Sequence, residues 1–138
     1  MVLDTSVLVA GLRSQLGASN RVLFAVAGRR CVPLVTTALF LEYEAVLQRP
    51  EQQLATGMNP KDVAEFLAAF ASTAEAVDLN FLWRPQLRDP ADELILEAAA
   101  NGRAAAIVTH NVGDFRPATM RFGVRTLTPA EFLKELSK

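Results

Sequence analysis

Val2-Leu3-Asp4-Thr5-Ser6-Val7-Leu8-Val9 runs from an apolar pair into a carboxylate, two hydroxyls and a second apolar run. An apolar segment of this kind is what a parallel strand buried on both faces looks like. Asp4-Thr5-Ser6 then reads as the turn at the strand's carboxyl end, with hydroxyl side chains suited to capping the next helix. In an open α/β sheet that edge is where ligands bind. Asp4 is therefore either a helix cap or the seed of a site. The choice depends on whether other acids reach the same edge.

The surrounding chain is of a size and composition to build such a sheet. Its 138 residues are 51% hydrophobic, and a domain of that length buries roughly 68% of its unfolded surface without disulfides or metal staples. One domain over residues 1–138 is expected. The chain opens directly on the first strand, with no basic-then-apolar leader and no apolar run of about 18 residues to span a bilayer. A cytoplasmic protein with no membrane partner is the expectation. The one cysteine, Cys31, cannot form an internal bridge and precedes an apolar run, as a buried thiol does. The net charge of −1 gives no global sign of a nucleic-acid binder. Of the 14 basic residues only Lys61, Lys134 and Lys138 are lysines. Arginine forks onto phosphate better than lysine, although genomic base composition also favours it.

Strand and helix signals alternate from there. Val7 to Leu12 begins a helix, Gly17 to Asn20 is a loop or cap, and Arg21 to Ala27 is a second helical piece ending near Gly28. Cys31 to Thr36 reads as a strand whose first part is unpaired or at an edge because of Pro33. Thr36 or Thr37 caps a helix from Ala38 to Gln48, stopped before Pro50. Glu51 to Met58 is an irregular link or short helix. Asn59-Pro60 opens a helix by the cap-then-proline rule, with Val63, Phe66, Leu67 and Phe70 at helical spacing. Ala76 to Leu79 is a short strand, and Asn80 to Arg88 a loop. Asp89-Pro90 starts a helix that runs to Asn101 and ends at Gly102. Ala104 to Thr109 is a buried strand, His110 to Arg121 a loop or broken helix, Val124 to Leu127 a last strand, and Thr128-Pro129 a final helix start. Strands alternating with helices predict a three-layer α/β/α sandwich with a mostly parallel central sheet.

In a parallel sheet, a residue just after a strand, or in the first turns of the next helix, lies on one rim. Asp4 meets that condition, as do Glu42, Asp92, Asn111 and Asp114. Periodicity alone does not separate Glu42 from Glu44; Glu42 is nearer the rim. Each acid also has a plainer reading: Glu42 on a solvated face, Asp92 as the reciprocal partner of an Asp89 cap, Glu93 and Glu97 as surface charge. His110 reads as a surface or hydrogen-bonding residue. Several carboxylates gathered without cations would repel and raise one another's pKa values. A divalent cation resolves this, and oxygen-only ligands suit Mg²⁺ or Mn²⁺.

Val2-Leu3-Asp4-Thr5-Ser6-Val7-Leu8, Leu41-Glu42-Tyr43 with Val46-Leu47 and Arg49-Pro50, Arg88-Asp89-Pro90-Ala91-Asp92, and Ala106-Ile107-Val108-Thr109-His110-Asn111 with Asp114-Phe115 form an ordered set. That set resembles the PIN domain family and, within it, the VapC toxins of bacterial and archaeal toxin–antitoxin pairs. The resemblance spans nearly the whole chain, down to the closing Thr128-Pro129-Ala130-Glu131-Phe132. It implies a Mg²⁺- or Mn²⁺-dependent ribonuclease, a separate antitoxin protein as partner, and a possible homodimer. Asp4, Glu42 and Asp92 match the family's first three acids as catalytic and metal-binding residues. Many relatives carry an aspartate where this chain has Asn111. Asp114 is taken as the fourth acid, with Asn111 a neutral ligand or an orienting residue, and Thr5 or Ser6 with Thr109 hydrogen-bonding the acids.

The expected reaction is hydrolysis of RNA phosphodiesters, with Arg13, Arg49 or Arg116 contacting phosphates. The alternative is a non-catalytic RNA-binding or protein-interaction module of the same fold with weakened metal binding, which Asn111 makes credible. A phosphatase for small phosphate esters would need a second acid two residues after its nucleophilic aspartate, and Ser6 stands there. The Val63–Phe70 stripe is core in the simplest reading; exposed, it would be a groove for an antitoxin helix or a homodimer contact.

Overall fold

The computed structural model describes residues 1–80, 87 and 89–138, with the side chains of 117, 118 and 120 outside that description. The opening strand β1 (Val2–Leu3) is fully buried. It pairs in parallel with β4 (Ala106–Val108), which pairs in parallel with β5 (Arg125–Leu127). A second parallel ladder joins β2 (Leu34–Val35) to β3 (Glu75–Ala76). The Leu34 amide donates to the Met1 carbonyl at 2.7 Å and the amino terminus to the Val32 carbonyl at 3.1 Å, which sets β2 beside β1. The strands thus follow the order β3–β2–β1–β4–β5.

Helices fill every connection. Helices α1 (Thr5–Arg13) and α2 (Ala18–Ala27) link β1 to β2, and α3 (Thr37–Leu47), α4 (Pro50–Thr56) and α5 (Pro60–Thr73) link β2 to β3. Helices α6 (Pro90–Gly102), α7 (Val112–Phe122) and α8 (Pro129–Leu136) follow β3, β4 and β5. Parallel strands need such crossovers, which cover the faces of the sheet. The result is the expected three-layer α/β/α fold. Local chemistry starts the helices where the sequence announced them. The Thr36 hydroxyl accepts from the Leu39 amide, and Asn59 with Asp62 and Thr128 with Glu131 form reciprocal capping boxes. A cap of this kind stabilises its helix by about 1 kcal/mol. Among the described residues no helix is long and apolar enough to cross a membrane.

The differences from expectation have local causes. Helix α1 begins at Thr5, two residues early, because Asp4 takes the N-cap position. Helix α2 begins at Ala18, and Asn20, expected in a loop, lies in its first turn and donates to the Gly11 carbonyl of α1 at 2.8 Å. Strand β2 shrinks to two residues behind Pro33, which has no amide to pair. Strand β3 falls at Glu75–Ala76, and Glu51 to Thr56 belongs to a short helix. Residues 112–122 are helical despite a glycine and a proline, because Phe115 is wholly buried from that helix and packing outweighs propensity. Gly102 closes α6 for a steric reason: a Cβ there would stand 2.9 Å from Val77 Cγ2 and 3.0 Å from Leu34 Cδ1. The helix stops one residue later, at Arg103 with φ 53°. Cys31 is half-buried rather than buried. Of the expected 80–88 loop, only Asn80 and Leu87 lie within the described residues.

The core is continuous across the sheet, and the α5 stripe belongs to it. Val63, Leu67 and Phe70 are buried, so that face is not a free groove. The Phe70 ring meets the edge of Tyr43, centroids 5.7 Å apart. Tyr43 is fully buried, and its hydroxyl donates to the Leu3 carbonyl at the end of β1. A buried phenol needs such a partner. Burial, with the nearby Asp4 charge, pushes its pKa far above the usual tyrosine range, so it stays a donor. This bond pins α3 to the tip of β1. Tyr43→Phe keeps the ring and deletes the donor, and it should cost about 1–2 kcal/mol of stability. A lowered denaturant midpoint at unchanged slope is the expected result; an unmoved midpoint would mean that the bond contributes nothing net.

Candidate active site

Asp4 stands at the N-cap of α1 but does not cap it, since no amide of the first turn donates to its carboxylate. Both hydroxyls that reach it bind one oxygen: Ser6 Oγ donates to Oδ2 at 2.9 Å and Thr109 Oγ1 donates to Oδ2 at 2.6 Å. The Asp4 amide is tied to the Val108 carbonyl at 2.9 Å, so β1 and β4 are clamped together at their carboxyl ends. Only 6% of Asp4 is exposed. Among the described residues nothing donates to Oδ1, the oxygen left for a ligand. The helix-cap reading is excluded by this geometry. Of the two neighbouring hydroxyls, Ser6 holds the acid, and Thr5 forms no described hydrogen bond.

Thr109 is fully buried and works as a relay. It donates to Asp4 and accepts from the Asn111 amide at 2.9 Å. That second bond shapes the turn leading into α7. Asn111 occupies the N-cap of α7 with its side chain exposed, and its carbonyl accepts from the Asp114 amide at 3.0 Å. Asp114 is exposed in the first turn of α7. The preceding residue, His110, places Nε2 2.6 Å from Ser19 Oγ on α2. This agrees with its reading as an exposed, hydrogen-bonding histidine.

Asp92 lies in the first turn of α6, half-buried. Asp89 caps that helix through the Ala91 amide at 2.9 Å, without a reciprocal box, so Asp92 has no capping duty. Its pKa is raised from 3.8 to about 6. Burial is the largest cause, followed by the charges of Asp4, Asp89, Asp114 and Glu93. Asp4, Asp92 and Asp114, from three distant stretches, therefore share one electrostatic environment. Glu42 is half-buried in the second turn of α3 and is not among the charges acting on Asp92. Its neighbour Tyr43 ties α3 to the Leu3 carbonyl, one residue before Asp4.

Two expectations change here. Glu93 and Glu97 are not surface charges: they are 5% and 3% exposed. Glu93 Oε1 accepts from the Leu87 amide at 2.7 Å and so anchors the approach to α6. The two lie one turn apart on α6 and share its buried face, while their charge argued the other way. Of the three arginines, Arg13 ends α1 about 12 Å along the helix from Thr5, and Arg49 caps α4 beyond the end of α3. Of the three, Arg116 is the nearest in sequence to a candidate site acid, two residues after Asp114. The sequence signal for the structural role of Tyr43 is a lone phenol on a buried helix face.

The donor set fits a hard cation, with one qualification from geometry. Asp4, Asp92 and Asp114 form no described ion pair, and like charge alone raises Asp92 beyond the effect of burial. Yet among the described residues no three His, Cys, Asp or Glu side chains converge closely enough to cage a metal. Mg²⁺ keeps several waters and takes one or two carboxylates directly. Asp4, with no described donor on Oδ1, suits that mode as a direct ligand. A PIN domain family model matches residues 1–113. The match includes Asp4, Glu42, Asp92, Thr109 and Asn111 and stops one residue before Asp114. No curated protein and no solved structure matches the chain.

The raised Asp92 pKa carries a stability prediction for the metal-free protein. A folded pKa near 6, above the ordinary 3.8, means that the ionised form opposes folding at neutral pH. That penalty is relieved as pH falls through the folded value. Wild type in chelator should therefore gain stability relative to Asp92→Asn as the pH is lowered from about 7 to about 5. The variant should be the more stable of the two at neutral pH. Melting curves across that interval measure both; a gap that widens on acidification would contradict the assignment.

Proposed function

The chain belongs to the PIN domain family, and from that premise we propose that it is a Mg²⁺- or Mn²⁺-dependent ribonuclease and the toxin of a toxin–antitoxin pair. PIN domains are of the nuclease type and generally depend on divalent metal. The observation that carries the reading is the Asp4 carboxylate: buried, held on Oδ2 by Ser6 and Thr109, with no described donor on Oδ1, and within electrostatic reach of Asp92. Beyond the family match, β5 pairs with β4 in the same sheet and α8 packs against α2.

In this reading Asp4 is the fixed ligand. Ser6 and Thr109 hold its Oδ2 and leave Oδ1 for a ligand. Asp92 and Asp114 act directly or through waters, and Glu42 orients the attacking water or a second metal from the α3 side. Asn111 is a neutral contact on the same turn. The divalent ion, when bound, supplies Lewis-acid charge neutralisation at phosphorus and lowers the pKa of a bound water. The substrate is single-stranded or structured RNA, encountered in the cytoplasm. The inhibitor is a separate antitoxin protein.

RNA cleavage with and without chelator tests the reading. Wild type should cleave with Mg²⁺ or Mn²⁺ and stop in chelator. Asp4→Asn and Asp92→Asn should lower the rate by a factor of about 100 or more, the scale of losing a charge-stabilising group. Glu42→Gln and Asp114→Asn should fall between these and wild type if they act through water. Full activity of Asp4→Asn with metal present would overturn the site. Absence of both cleavage and calorimetric heat with Mn²⁺ would leave a non-catalytic module of the PIN fold.

A further inference from the structure

Helices α2 and α8 pack side by side and leave between them a groove of about 660 Å³. Its described lining holds three cations, Arg21, Arg30 and Lys134, and no carboxylate. The whole chain has a net charge of −1, so the groove departs from the chain's own average. Phe24 lies among these cations with 70% of its surface exposed. No described aromatic ring packs on it. Arg21 and Phe24 are three residues apart on α2 and share a face. On α8, Ala130, Leu133, Lys134 and Ser137 repeat at helical spacing along the facing side. The acids of α8 turn elsewhere: Glu131 closes the Thr128 capping box, and Glu135 pairs with Arg125.

The groove is aligned with the acidic rim. Ser19, in the first turn of α2, is hydrogen-bonded to His110, the residue after Thr109. Arg21 follows two residues later. Helix α8 starts at Pro129, directly after β5 reaches the same edge. Both helices thus leave from the rim, and Arg30 and Ser137 lie toward their far ends.

We propose that this groove binds a single-stranded segment of RNA flanking the bond cleaved at the rim. Arg21, Arg30 and Lys134 contact its phosphates, and a base stacks on Phe24. Cations that track a backbone beside an exposed aromatic ring are the means by which single strands are held without sequence readout. The proposal rests on the ribonuclease reading, and its test is arranged to fail separately from it.

Binding of a labelled oligouridine single strand is measured by fluorescence anisotropy in chelator, where no cleavage can occur. Phe24→Leu, which keeps the apolar bulk, should weaken binding by about fivefold or more, and Phe24→Trp should retain it. Arg21→Ala with Lys134→Ala should flatten the dependence of log affinity on log salt by about 1.4, twice the single-strand value per phosphate contact. The exposure of these side chains allows all variants to fold, which matching melting curves verify. Variants that bind like wild type, while wild type cleaves RNA with Mn²⁺, would overturn the groove and spare the nuclease. Variants that lose binding, while wild type fails to cleave, would support the groove and overturn the nuclease. Unchanged RNA binding with a shift in sedimentation would assign the groove to a second copy of the chain and overturn the proposal.

Discussion

The buried hydrogen bond from Thr109 to Asp4 joins residues 105 apart and closes the sheet at the one edge where chemistry is proposed. At 2.6 Å it is at the short end of the hydroxyl-to-oxygen range. Without it, a carboxylate only 6% exposed would sit at the end of a two-residue strand with Ser6 as its sole side-chain donor. The same hydroxyl accepts from Asn111 and so sets the turn that delivers Asp114. One threonine thus connects the opening strand, the central strand and the far side of the site.

Around that clamp the fold balances stability against charge. Tyr43 ties α3 to the β1 tip, Asp89 caps α6, and Glu93 holds the Leu87 amide, so two helices, α3 and α6, are fixed by three anchors. Each anchor is a neutral donor or a residue beside the proposed site, which leaves Asp92 and Asp114 without bonding duties of their own. Asp92 bears the cost as a raised pKa. Burial and the surrounding carboxylates together raise it.

Much of this was legible before any coordinates. The alternation of apolar runs with capped, amphipathic segments specified a parallel α/β sandwich, because strand and helix periods differ and Pro, Gly and cap residues mark their limits. The rule that residues after parallel strands share a rim selected Asp4, Glu42, Asp92, Asn111 and Asp114. Failures fell where local signals compete with packing. A glycine and a proline spoke against α7, yet burial of Phe115 holds the helix. Glu93 and Glu97 carry charge and are nonetheless buried.

The chain's own sequence determined which residues lie at the ends of strands and the starts of helices, because propensity, capping and periodicity act over a few neighbours. Tertiary structure alone decided what those residues do with their side chains. Nothing within a few residues of Asp4 could tell a helix cap from a carboxylate held by Thr109, since that donor arrives from the far end of the chain. The same holds for Tyr43 on the Leu3 carbonyl and for the cations that α2 and α8 bring to one groove. Hydrogen bonds and charge clusters depend on distances in space, and only the packed sheet sets those distances.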